Sequence, residues 1–235
     1  MTAPHVLITG ASAGIGLAAA QGFAALGYRV TGLARRARPE WSLPGASSAV
    51  LVPFDLEQTG GIAALVEELG PVDVLVNNAG IMCSAPWDAY PEESRRRTLA
   101  VNLESPVALI RAVAPGMLDR GGGRVVNVSS IAGQMGHPDI WYGMTKAALL
   151  SATRSFARLL GPGGVLVNAV APGPVETAML ASIPEARKAQ IAGSVMTGRF
   201  ARPEEVAEVI VWLGTRSPAY VNGSTLDVND GAYLR

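Results

Sequence analysis

The sequence predicts a doubly wound α/β domain, with a seven-stranded parallel sheet in the order 3-2-1-4-5-6-7 and helices on both faces. Three observations predict it. Short apolar runs, rich in β-branched residues, alternate six times with segments of helical period and close on one more strand-like run. The first run ends in a glycine turn followed by a helix, which aims free backbone N–H groups at a phosphate. The other residues able to do chemistry fall where strands end. In such a sheet a ligand lies at the carboxyl ends of the strands, where the order reverses between the first and the fourth.

Composition narrows the class. A chain of 235 residues, 49% apolar, can form one domain over residues 1–235 with a large core. Basic and acidic residues balance at 19 each, so no charge excess points to nucleic acid or an anionic membrane surface. The single cysteine, Cys83, excludes an internal disulfide and a multi-cysteine metal site, and no metal is expected. No apolar run is long enough to span a bilayer, and the first residues lack the pattern of a secretion signal. The expectation is a soluble, cytoplasmic protein.

His5 to Thr9 reads as a buried strand and Leu17 to Leu26 as a helix stopped by Gly27. Between them lies Gly10-Ala11-Ser12-Ala13-Gly14-Ile15-Gly16. Its glycines permit a sharp turn and let a pyrophosphate approach without a Cβ in the way. Without a ligand the same stretch is only a glycine-rich turn. Tyr28 to Leu33 is the second strand, followed by Arg35, Arg36 and Arg38. In dinucleotide folds a carboxylate after this strand reads the ribose hydroxyl of NAD, whereas arginine suits the 2′-phosphate of NADP. Here Ala34 takes the acidic position and Arg35 follows it. A solvated loop would carry the same arginines.

Residues 39 to 48 read as irregular chain in place of a crossover helix. Ala49 to Phe54 is the third strand. Asp55 and Leu56 follow, and Asp55 can also cap a helix over Gln58 to Leu69. Val72 to Val76, the fourth strand, runs into Asn77-Asn78-Ala79-Gly80. Glu92 to Leu118 is largely helical, with Pro106 and Pro115 as breaks and Asn102 inside it. Arg124 to Val128 ends at Ser129-Ser130.

Tyr142 and Lys146 then stand four apart at the start of an Ala-rich helix, on one face and one turn apart. A free phenol titrates near pH 10, and a fixed positive charge beside it lowers that value. The pair can work as an acid/base device. By itself Tyr-x-x-x-Lys is a weak signal that an exposed tyrosine and a solvated lysine also satisfy. Val165 to Val170 is the sixth strand and leads to Pro172-Gly173-Pro174-Val175-Glu176-Thr177. Residues 174–200 read as a substrate lid, Pro203 to Leu213 as a helix, and Val221 to Gly231 as the last strand region.

Thr-Gly-x-x-x-Gly-x-Gly, Asn-Asn-Ala-Gly, the serine before Tyr-x-x-x-Lys, and Pro-Gly-x-Val-x-Thr together resemble the short-chain dehydrogenase/reductase family, over nearly the whole chain. The resemblance implies a Rossmann-like fold that binds NADP(H). Gly10, Ser12, Ala13, Gly14, Ile15 and Gly16 would hold its phosphates, with Arg35 and Arg36 at the 2′-phosphate. Asp55 and Leu56 would meet the adenine, and Asn78, Ala79 and Gly80 the adenosine ribose. Pro172, Gly173, Val175 and Thr177 would close on the nicotinamide. Tyr142 would be the general acid/base. Lys146 would lower its pKa and hold the nicotinamide ribose. Ser130 would bind the substrate oxygen, and Asn102 a water linking the lysine to solvent. Ser129 competes with Ser130, because the family's usual spacing to the tyrosine fits Ser129 while the Ser-x-x-Gly-x-x-Gly run fits Ser130.

The implied activity is interconversion of a carbonyl group and a secondary alcohol, with a small-molecule partner and a homodimeric or homotetrameric assembly. Cys83, Trp87, His137, Ile140, Trp141 and Met179 would border the substrate. An NAD-preferring alcohol dehydrogenase and a non-catalytic dinucleotide-sensing regulator are the alternatives. A sugar-nucleotide epimerase would need a larger C-terminal domain.

Overall fold

The computed structural model describes residues 2–36, 38, 40–181 and 185–234, with the backbone alone at 179 and 181. Seven parallel strands form one sheet: β1 (His5–Thr9), β2 (Arg29–Ala34), β3 (Ser48–Pro53), β4 (Val74–Asn77), β5 (Gly123–Val128), β6 (Val165–Pro172) and β7 (Thr225–Val228). Their order is β3-β2-β1-β4-β5-β6-β7, the order expected of a doubly wound dinucleotide-binding fold. Val6 lies beside Val30 on one side and Val74 on the other, so β1 and β4 are neighbours at the reversal point.

Side chains alternate across each strand, and the inner strands are covered on both faces, which is why they are apolar almost throughout. Val6, Ile8, Val74, Val76, Val126 and Val170 join one core with α1 (Gly14–Ala25) and, in the C-terminal region, the helix Pro203–Thr215. Leu7, Leu75, Val125, Val165 and Val167 point the other way. They pack on α2 (Ile62–Leu69) and on two longer helices, Ser105–Asp119 and Ile140–Leu160.

Three local expectations are corrected. Asp55 does not cap a helix from residue 58. Thr59–Gly61 forms a 3₁₀ turn and α2 begins at Ile62, because paired glycines disfavour the first helical turn. The Asp55 carboxylate instead accepts from the Glu57 backbone N–H at 3.1 Å. The prolines do not break the next helical region. α3 (Glu92–Leu99) passes through a π-helical turn, Ala100–Glu104, into α4 (Ser105–Asp119). Pro106 sits in the first turn of α4, where a missing N–H is tolerated. After α5 (Ala132–Met135) and α6 (Ile140–Leu160), the region expected to form a lid contains two short helices, α7 (Ala178–Ala181) and α8 (Glu185–Ala192), before α9 (Pro203–Thr215). Scattered apolar residues gave no sign of these.

Residues 41–47, expected to be irregular, carry no helix, and β3 is an exposed edge. Trp41 partly fills the gap, packing near Gly32 and donating its indole N–H to the Ala11 carbonyl at 3.2 Å. No helix among the described residues is long and apolar enough to cross a membrane.

Candidate active site

A cleft of about 650 Å³ runs along the carboxyl ends of the strands, from β2 and β3 at one end to β5 and β6 at the other. The glycine turn forms its floor. Gly10 and Gly14 have φ of 68° and 55°, a region that side chains other than glycine rarely adopt. Gly16 does not line the cleft. A Cβ there would collide with the Gly10 carbonyl and the Asn78 side chain, so this glycine lets α1 approach the sheet. Ser12, Ala13 and Ile15 do line it. Thr9 fastens the neighbouring loop: its hydroxyl accepts from the Asn78 and Ala79 backbone N–H groups, both at 2.9 Å. The Asn78 amide returns a bond to the Thr9 carbonyl at 2.9 Å.

At the β2–β3 end the cleft is lined by Arg35, Asp55 and Leu56. Arg36 is exposed and does not line it. Glu57 and Arg97 close this end through an ion pair at 2.8 Å.

At the other end, α6 carries Tyr142 and Lys146 into the cleft. The buried Asp139 caps the helix and accepts the Tyr142 backbone N–H at 3.0 Å. Its second oxygen accepts from the Cys83 backbone N–H at 2.7 Å and the Tyr90 hydroxyl at 3.3 Å. One carboxylate thus ties the helix start to the loop after β4. The Lys146 ammonium is buried, donates to the Val128 carbonyl at 2.8 Å and lies 5.7 Å from the Tyr142 ring centre. A Cβ on Gly80 would come within 3.2 Å of that ammonium, so the missing side chain keeps the space in front of the lysine open.

The two serines separate cleanly. Ser129 is buried and donates to the Lys146 carbonyl at 2.8 Å. Ser130 lines the cleft as Tyr142 does and accepts from the Ala132 N–H at 3.1 Å.

Asn102 lies in the π-helical turn and does not line the cleft. Its side chain exchanges bonds of 2.8 and 2.9 Å with the Ile81 backbone and donates to the Thr145 hydroxyl at 3.2 Å. Pro106, four residues on, has no N–H to offer the Asn102 carbonyl, which is the partner an α-helix would supply. Pro172, Gly173, Val175 and Thr177 line the cleft beside β6.

Electrostatics correct one expectation. The neighbouring ammonium was to lower the Tyr142 pKa. Burial instead raises the phenol, and the nearby Ser130 hydroxyl only partly opposes that. The lysine is weakened by the same cause, since burial pushes it down to about 8. Lys146 is buried and Tyr142 half-buried, and each loses hydration that their mutual interaction does not replace.

The expected substrate border is also corrected. Of the named residues, His137 lines the cleft, whereas Cys83, Trp87, Ile140 and Trp141 do not. The Met179 side chain lies outside the described residues. Trp141 precedes Tyr142 by one position, about 100° round the helix, and meets Arg95 at 5.3 Å instead. Met82, Met135, Leu180, Arg187 and Ile191 line that end of the cleft. Asp139 and Trp41 were also missed. An Asp three residues before Tyr142 is a helix-capping signal that could have identified the first. Among the described residues no group of three or more His, Cys, Asp or Glu could hold a metal ion.

The family profile described as enoyl-(acyl carrier protein) reductase matches residues 10–233. Galactitol 2-dehydrogenase of Agrobacterium fabrum is 36% identical over 97% of this chain and 96% of its own. A 3-oxoacyl-(acyl-carrier-protein) reductase of Vibrio cholerae is 35% identical over 97% of this chain and 96% of its own. The crystal structure described as an NAD(P)-dependent gluconate 5-dehydrogenase of Beutenbergia cavernae, with bound NADP, superposes with a TM-score of 0.90 at 34% identity. That likeness covers 99% of this chain and 97% of the other.

Proposed function

This chain belongs to the short-chain dehydrogenase/reductase family of oxidoreductases, and we propose that it interconverts a carbonyl group and a secondary alcohol by hydride transfer with NADP(H). The observation that carries the proposal is that Ser130 and Tyr142 line one end of the cleft, with Lys146 beside the tyrosine ring, while the other end holds Arg35.

The cleft fits a dinucleotide. Positive-φ glycines leave the N-terminus of α1 open to phosphate, and Gly80 keeps space in front of the Lys146 ammonium. Gly10, Gly14 and the Ser12–Ile15 backbone would hold the pyrophosphate, and Arg35 the 2′-phosphate. Asp55 and Leu56 would border the adenine. Lys146 would hold the nicotinamide ribose, with Val175 and Thr177 at the carboxamide. NADP, a ligand of the Beutenbergia relative, supplies or accepts the hydride when bound.

The chain's own residues handle the proton. Burial keeps the Tyr142 phenol protonated at neutral pH, which suits it to protonate a carbonyl oxygen during reduction. Ser130, with Ala132 N–H bonded to its oxygen, keeps its O–H to donate to that oxygen as charge develops. Lys146 stands behind the phenol and stabilises the phenolate left after transfer. The Asn102 side chain is committed to Ile81 and Thr145, so its backbone carbonyl, relieved of an N–H at Pro106, is the group left to hold a relay water.

Purified protein should oxidise NADPH in the presence of some members of a ketone and aldehyde panel. NADPH binding with no turnover across the panel would instead favour a dinucleotide-sensing regulator.

A further inference from the structure

The half of the cleft beyond Tyr142 has an uneven charge distribution. Its walls are apolar at Met82, Met135, Leu180 and Ile191. Two nitrogen-bearing side chains interrupt them, His137 from the loop before α6 and Arg187 from α8, and the Ser194 hydroxyl, which also lines this stretch, donates to the Ile191 carbonyl at 2.7 Å. The His137 ring packs edge to face on Tyr142, with centres 5.2 Å apart, and both line the cleft. The Asp139 backbone N–H donates to His137 Nδ1 at 3.0 Å. The neutral ring therefore carries its proton on Nε2, as a donor.

Arg187 is close enough for its charge to be felt at that ring. It is hydrogen-bonded to Gln190 at 3.1 Å, and among the described residues it has no carboxylate partner. The carboxylates that line the cleft, Asp55 and Glu57, belong to the β3 end. Asp139 is near Tyr142 but buried, with its oxygens turned to Tyr142, Cys83 and Tyr90. An exposed guanidinium at the rim of the cleft and an imidazole N–H within it, beside apolar walls and with no carboxylate partner among the described residues, recognise a carboxylate.

Resting on the carbonyl-reduction reading above, we infer that the substrate is a short carbonyl compound bearing a carboxylate, which Arg187 and His137 hold while its carbonyl oxygen meets Tyr142 and Ser130. Closeness of the His137 and Tyr142 rings sets a separation of only a few bonds between the two groups. The oxidised and reduced partners are then a keto acid and the matching hydroxy acid. Reduction places hydride on the carbonyl carbon and a proton on its oxygen, and the carboxylate is unchanged.

The test compares pyruvate, acetoacetate and levulinate with their methyl esters, following NADPH oxidation by the intact protein. Support is a kcat/KM at least about tenfold higher for one acid than for its ester, carried by KM. In Arg187→Gln that acid-to-ester ratio should fall by about tenfold, and Arg187→Lys should restore part of it. Fluorescence titration should show NADPH affinity within about twofold of the parent in Arg187→Gln, because a carboxylate ligand of the substrate leaves cofactor contacts alone. Equal or better use of the esters overturns the inference while leaving the reductase reading intact. Loss of NADPH affinity in Arg187→Gln also overturns it, by assigning the arginine to the cofactor. Turnover of neutral ketones alone does the same, and failure of every carbonyl compound removes the reading on which it rests.

Discussion

The Asp139 carboxylate accepts the Tyr142 backbone N–H at 3.0 Å and, through its other oxygen, the Cys83 N–H at 2.7 Å. One buried side chain therefore fixes where the helix carrying Tyr142 begins and holds it to the loop that follows β4. Removing it as Asp139→Ala loses the cap and leaves two backbone N–H groups and the Tyr90 hydroxyl short of a partner. The expected loss is about 2–3 kcal/mol in urea unfolding, together with a lower kcat. Asp139→Asn retains an accepting oxygen for the cap and should cost less than Asp139→Ala. Equal stability of parent and Asp139→Ala would contradict this role.

Ser129 and Ser130 are adjacent, yet their variants should fail in different ways. Ser129→Ala removes a buried bond to the Lys146 carbonyl and should lower stability by about 1 kcal/mol, with a smaller effect on turnover. Ser130→Ala should leave the unfolding midpoint near the parent value and reduce kcat by about a hundredfold or more. Thermal melts and steady-state rates on both variants separate the two. The reverse pattern would make Ser129 the catalytic serine.

Arg35 lines the cleft and Arg36 does not, so the two should not be interchangeable. Arg35→Asp should weaken NADPH binding by at least about tenfold and shift preference towards NADH, since a carboxylate repels the 2′-phosphate and accepts from a 2′-hydroxyl. Arg36→Asp should have the smaller effect. Dissociation constants for both cofactors check this, and unchanged NADPH affinity in Arg35→Asp removes that arginine as the phosphate reader.

Lys146, which the proposed reaction uses, is held at a cost to stability. Its pKa falls from 10.5 to about 8 in the folded chain, which penalises the protonated folded state by on the order of 3 kcal/mol. Because the folded value lies below the unfolded one, the penalty is complete below pH 8 and is relieved as pH rises from about 8 to 10.5. Lys146→Met should abolish turnover yet raise the melting temperature at pH 7, with the difference shrinking above pH 8. A lower melting temperature for Lys146→Met at pH 7 would show that the ammonium is better compensated than this.

The strands, the glycine turn and the Tyr142–Lys146 pair were legible because each is written locally, while the sheet order followed from the motifs of the dinucleotide-binding fold. Alternating apolar runs specify strands covered on both faces, positive-φ turns demand glycine, and a spacing of four places two side chains on one helix face. What was missed depends on distant segments meeting. Trp41 reaches Ala11 because a crossover helix is absent, and no local pattern announces that contact. The substrate border was misread because Trp141 adjoins Tyr142 in sequence but points round the helix towards Arg95. The direction of the Tyr142 pKa also needed the fold. Spacing shows that an ammonium is near, but it does not show how much water both groups lose.

The most direct test is Tyr142→Phe, assayed in parallel for NADPH binding by fluorescence titration and for turnover of whichever carbonyl compound the parent reduces. The account predicts a dissociation constant within about threefold of the parent and turnover lower by at least about a thousandfold, because only the transferable proton is lost. Turnover close to the parent rate, with the cofactor still bound, would contradict it.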